Sequence, residues 1–129
     1  MDRVPFLSMV FMVISCIAGF AIPIILFIYF RKKKRADIAP FFIGVIVFIF
    51  FVTVLESSVH RIVFGLPFGE NIKNNVILYA LYGGLMAAVF EETGRLIAFG
   101  LILRKNKDKS INACMYGAGH GGIEAESVL

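Results

Sequence analysis

Long stretches of this chain carry no charge. Val4 to Phe30 is one, and Ile38 to Leu55 is a second. A third runs from Val76 to Leu103 and is broken only by Glu91, Glu92 and Arg95. A helix rising 1.5 Å per residue needs about 20 apolar residues to cross the hydrocarbon of a bilayer. The pattern therefore predicts an all-α, polytopic transmembrane protein with helices at about 4–30, 38–64 and 76–103. Gly65, Pro67, Gly69 and Asn71 carry loop chemistry between the second and third runs. A last segment, 110–129, opens like another crossing with Ile111, Ala113, Met115 and Ala118, and also holds His120 and Glu124. The expectation is three full crossings plus a partial or complete fourth, all in a single transmembrane domain over 1–129.

Charge orients these helices. Arg31-Lys32-Lys33-Lys34-Arg35 follows the first run, and Arg104, Lys105, Lys107 and Lys109 follow the third. Two crossings separate the blocks, so both can face the cytoplasm as the positive-inside rule requires. The loops at 31–35 and 104–109 are then cytoplasmic, the N-terminus is outside, and the chain is a multi-pass protein of the cell (plasma) membrane. A cleaved signal peptide fits poorly, because its apolar core spans only about 7–15 residues and its basic residues come first. Pro23 inside the first run is tolerated in a membrane helix.

Composition agrees. Apolar residues make up 59 % of the chain and charged residues 17 %. An ordinary globular domain has about 45–50 % and 25 %. The net charge of +4 is bunched beside apolar runs, so it reads as membrane orientation and not as a nucleic-acid footprint. Cys16 and Cys114 form no framework and no zinc-type spacing.

Ionisable groups in lipid are costly and usually mark function. On a helix, Arg95 can reach Glu91 four residues back and Glu92 three residues back. One arginine balances one carboxylate. The other is left in a setting suited to a general acid or base. Glu91 precedes Arg104 by thirteen positions, roughly 20 Å of helix. His120 follows Ser110 by ten, roughly 15 Å. Both levels fall near the middle of a hydrocarbon layer about 30 Å thick. The short link between the helices makes them expected neighbours. Gly117, Gly119, Gly121 and Gly122 around His120 allow close backbone approach or room for substrate. Glu124, one turn on, can orient the imidazole or serve as a further ligand. The plain alternative is an ion pair that only joins helices. Glu56 and His60, also four apart, read as a hydrated helix end, or as a pair that supports site residues from outside or lines substrate entry. Tyr79 and Tyr82 read as interface anchors.

Glu91-Glu92-x-x-Arg95, followed by Tyr116-Gly-Ala-Gly-His120-Gly-Gly-Ile-Glu124-Ala125, resembles the YhfC-type branch of the CAAX-protease and bacteriocin-processing superfamily of intramembrane proteases. The usual first motif of that superfamily is Glu-Glu-x-x-x-Arg. One residue fewer suits the YhfC-type branch. Its second motif, an aromatic residue four positions before a His, is matched by Tyr116 and His120. The resemblance implies that Glu91 activates a water, that Glu92 and Arg95 hold the site together, and that His120 assists the water or binds a metal. Glu91 and His120 are then the metal-ligand candidates, with zinc the expected ion if a metal is used. The superfamily's third motif, a His four before Asn or Asp, is absent from these 129 residues. The chain thus resembles the N-terminal half of such a protein, either a truncated piece or a short relative.

The expected function is intramembrane peptide-bond hydrolysis, with Glu91, Glu92 and His120 catalytic and Arg95 and Glu124 orienting them. The expected partners are membrane lipid and a membrane-embedded or membrane-proximal protein or peptide, and oligomerisation is left open. Two other classes remain: a small proton-coupled membrane transporter, and a non-catalytic membrane subunit.

Overall fold

The computed structural model describes residues 4–105 and 109–128. Lys107 of the second basic block and the terminal Leu129 lie outside the described residues. Among the described residues every regular element is helical: α1 (Phe6–Lys34), α2 (Ala39–Phe48), a π-helical segment (Ile49–Glu56), α3 (Ser57–Gly65), α4 (Gly69–Asn74), α5 (Val76–Ile97), a second π-helical segment (Ala98–Ile102) and α6 (Lys109–Val128).

Two stretches, Phe6–Lys34 and Ala39–Gly65, are long and apolar enough to cross a membrane, with mean hydropathies of 2.7 and 2.4 in their most apolar windows. Most of their apolar side chains point outward, Val47 and Phe48 being buried exceptions. Phe6, Leu7, Met12, Ile17 and Ile46 are all more than 60 % exposed. A helix buried in a soluble core would hide such groups, so these surfaces suit lipid.

The element boundaries differ from the sequence expectation in three places. First, α1 continues past Phe30 through Lys34. Four cations in its last turn face the negative end of the helix dipole. Arg35 ends the helix in the left-handed conformation (φ 55°), and its N–H donates to the Phe30 carbonyl. Second, the expected loop Gly65–Asn75 contains α4. A Cβ on Gly69 would lie 2.6 Å from the Val63 carbonyl oxygen, so only glycine lets the chain fold back on α3 there. Third, the π-helical segments interrupt two runs that apolarity alone reads as uniform helix. Each π turn carries an extra residue and rotates the side chains that follow it.

The chain divides into two compact units. One comprises Met1–Val45 with Asn106–Leu129, and the other Ile46–Lys105. In the first, α6 packs on α1 and on the start of α2. The buried positions of α6 are Asn112, Met115, Tyr116, Ala118, Gly119, His120 and Gly122, close to the i, i+3, i+4 period of one helical face. Phe27 of α1 meets Phe41 of α2 edge to face at 4.9 Å. Asn112, 2 % exposed, joins α6 to the turn before α2. Its Oδ1 accepts from the Asp37 N–H at 2.9 Å, and its Nδ2 donates to the Asp37 carboxylate at 2.8 Å. In the second unit, α5 packs on the first π-helical segment and on α4. Its half-buried residues Tyr82, Met86, Phe90 and Glu91 and its buried Gly94 again fall at helical spacing. Asn75 starts α5, its side-chain oxygen accepting from the N–H groups of Ile77 and Leu78.

Candidate functional site

Glu91, Glu92 and Arg95 all lie on α5 in the second unit. The helical period brings them together without help from other elements. Arg95 Nη2 donates to Glu91 Oε2 at 3.2 Å, and Nη1 donates to Glu92 Oε1 at 2.5 Å. One guanidinium therefore serves both carboxylates, where the sequence reading left one unbalanced. The two differ in setting: the Glu92 side chain is 67 % exposed and that of Glu91 only 24 %. Glu91 faces inward because it continues the half-buried stripe of α5, and Glu92 is turned about 100° away on a helix of 3.6 residues per turn.

His120 and Glu124 lie on α6 in the first unit. His120 is buried, at 5 % exposure. The Tyr116 hydroxyl lies 3.3 Å from its Nδ1, and the two rings stack with centroids 5.5 Å apart. In the tautomer whose Nδ1–H donates to that hydroxyl, Nε2 is the nitrogen that can bind or accept. Glu124 is exposed on the next turn, and a carboxylate oxygen lies within 4.8 Å of an imidazole nitrogen of His120. The expectation that Glu124 shares the face of His120 holds within this unit.

The glycines around His120 divide by role. Gly117 and Gly121 have open space where a Cβ would project. Gly119 presses on the Phe41 main chain and Gly122 on the Pro23 ring. On the facing helix, a Cβ at Gly44 would come 2.9 Å from the His120 nitrogen. His120 is thus held where two backbones approach more closely than side chains allow.

The pattern of this chain matches the model of a known family, YhfC intramembrane metalloprotease, over residues 18–128. The chain belongs to this family. It is also 36 % identical over 121 residues to a Bacillus subtilis (strain 168) protein called uncharacterized membrane protein YhfC, covering 92 % of the chain and 46 % of the relative. The chain therefore spans about half the length of the curated relative it matches. No solved structure matches it. Family membership makes it a membrane protein, in agreement with the two long apolar helices. The matched span contains Glu91, Glu92, Arg95, His120 and Glu124.

The family name implies a metal, and the donors present suit one. An imidazole nitrogen and a carboxylate oxygen on one face of α6 are a zinc-type N/O pair. Tyr116 stands where the outer partner of a metal-bound histidine is usually found.

The second unit holds another polar cluster, and here the sequence reading needs correction. Glu56 is not a hydrated helix end but is 7 % exposed. Its Oε1 lies 3.2 Å from His60 Nε2, and His60 Nδ1 lies 2.8 Å from the Tyr82 hydroxyl. Tyr82, read from sequence as an interface anchor, is a partner of His60. Nothing local signals this, since the two are 22 residues apart.

Proposed function

We propose that this chain supplies the water-activating part of an intramembrane protease that hydrolyses peptide bonds of membrane-embedded or membrane-proximal proteins. The observation that carries this reading is the Glu91–Arg95–Glu92 ion cluster on α5 in a member of an intramembrane metalloprotease family, together with a buried histidine on α6. Family membership favours proteolysis over proton-coupled transport or a purely structural subunit.

In this reading Glu91 and His120 each lie near mid-membrane depth, by their distances along the helix from the basic edge. Glu91 takes a proton from water as the oxygen attacks the scissile carbonyl, and the proton passes to the departing amine. Arg95 fixes the direction of both carboxylates, and Glu92 holds the outer side of the guanidinium. His120, oriented by Tyr116, and Glu124 would hold a divalent metal, zinc being the natural choice for such donors. Bound there, the metal would polarise the carbonyl and make the water more acidic. The basic segments 31–35 and 104–109 face the cytoplasm of a multi-pass plasma-membrane protein, and the N-terminus is outside.

The test uses the longer protein in membranes with a cleavable membrane substrate. Glu91→Gln and His120→Ala should each abolish cleavage while leaving the helical circular-dichroism spectrum intact. Normal cleavage by either variant would end the proposal. Proton-coupled flux in vesicles without cleavage would turn it towards transport.

A further inference from the structure

We infer that Glu56 and His60 form a second divalent transition-metal site, with Tyr82 positioning the imidazole. The three residues belong to one unit, and the inference does not rest on the protease reading.

The first π-helical segment ends at Glu56 and delivers its carboxylate to the interior. The side chain is 9 % exposed, yet it is poorly satisfied. Among the described residues Oε1 has one hydrogen-bond contact, to His60 Nε2 at 3.2 Å, and Oε2 is buried without a hydrogen-bond partner. A carboxylate retained only for an ion pair would be expected to fill both oxygens, because an unfilled acceptor loses its hydration without return. Oε1 and the adjacent ring nitrogen can offer lone pairs to one cation, and the unused Oε2 can join them as the second oxygen of the same carboxylate.

The spacing suits that cation. Zinc bonds to imidazole nitrogen and carboxylate oxygen are about 2.0–2.2 Å long, and near-tetrahedral angles put the two donors about 3.2–3.4 Å apart. The observed separation is 3.2 Å. On the far side of the ring, Nδ1 lies 2.8 Å from the Tyr82 hydroxyl. An Nδ1–H donating to that oxygen fixes the tautomer in which Nε2 is the ligand, the usual arrangement around metal-bound histidine. The ring is further held by stacking on Phe64 and by the edge contact of Tyr82, with centroids at 5.8 and 5.3 Å. Mixed nitrogen and oxygen donors select zinc-like ions over magnesium or calcium, which prefer oxygen alone. Two side chains leave the remaining positions to water.

The chain has only two histidines, so His120→Ala leaves His60 as its one imidazole. The experiment is a Zn2+ titration of detergent-solubilised, 15N-histidine-labelled protein followed by NMR. The His60 Nε2 resonance should shift and saturate at one equivalent, with Nδ1 still protonated. Mg2+ should have no effect. Glu56→Gln should remove the saturable shift, and Tyr82→Phe should weaken binding about 10–100-fold. If His120→Ala fails to fold, the unmutated protein serves, with two resonances of which one loses its response in Glu56→Gln. No Zn2+ response of His60, or one that survives Glu56→Gln or is matched by Mg2+, overturns the inference.

Discussion

Replacing Gly119 by alanine tests whether close backbone approach holds His120. The new Cβ would stand 2.8 Å from the Phe41 carbonyl carbon and 3.1 Å from Phe41 Cα, with the oxygen closer still. Ordinary contact begins at 3.4 Å, so the carbon alone demands a shift of 3.4 − 2.8 = 0.6 Å. The obstructing atoms are main chain, and no rotamer change can relieve them. Overpacking of this kind costs about 1–3 kcal/mol. Gly117 is two residues away on the same helix with open space at its Cβ. There the methyl group only removes the flexibility of glycine, a gain of about 0.5–1 kcal/mol in a helix. Both variants share that gain, so Gly119→Ala should be less stable than Gly117→Ala by the overpacking cost, about 1–3 kcal/mol. The chain has no tryptophan, so unfolding is best followed by far-ultraviolet circular dichroism in detergent, by heat or by rising denaturant. If the two variants fell within about 0.5 kcal/mol of each other, the range of ordinary surface changes, the packing account of this helix pair would be wrong.

Two further outcomes follow from the hydrogen bonds. Asn112→Ala removes both bonds to Asp37 and leaves that residue's N–H and carboxylate without them, which should lower stability by about 1–3 kcal/mol in the same unfolding assay. Asn75→Ala removes the acceptor for two N–H groups at the start of α5 and should cost about 0.5–2 kcal/mol, whereas Asn75→Gly should cost only a few tenths. No measurable loss in Asn75→Ala would show that the side-chain cap contributes little.

Much of the site could be read from the sequence because its contacts are local. Glu91 and Glu92 reach Arg95 because helical periodicity puts residues three and four apart side by side, and the same rule links Tyr116, His120 and Glu124. The π-helical segments could not be read in this way. Apolar residues fill α-helical and π-helical turns equally well, and the difference of one residue per turn is set by packing. The burial of Glu56 follows from that difference. A residue just past an apolar run reads as hydrated, but its exposure depends on which way the preceding turn points it.

The sequence by itself determined which stretches are helical and apolar, where the basic residues cluster, and which ionisable groups can pair along one helix. Each of these depends on neighbours within about one turn. The tertiary structure alone decided that Tyr82 holds His60, that Asn112 clasps Asp37, and that Gly44 and Gly119 are crowded while Gly117 is not. These contacts join residues far apart in the chain. They depend on how α6 crosses α2 and how α5 lies on the first π-helical segment, and no residue's local pattern encodes the angle of a helix crossing. The ionisable cluster on α5 is thus written in the sequence, but the inward direction of Glu91 and the outward direction of Glu92 are set by which face of α5 the fold covers.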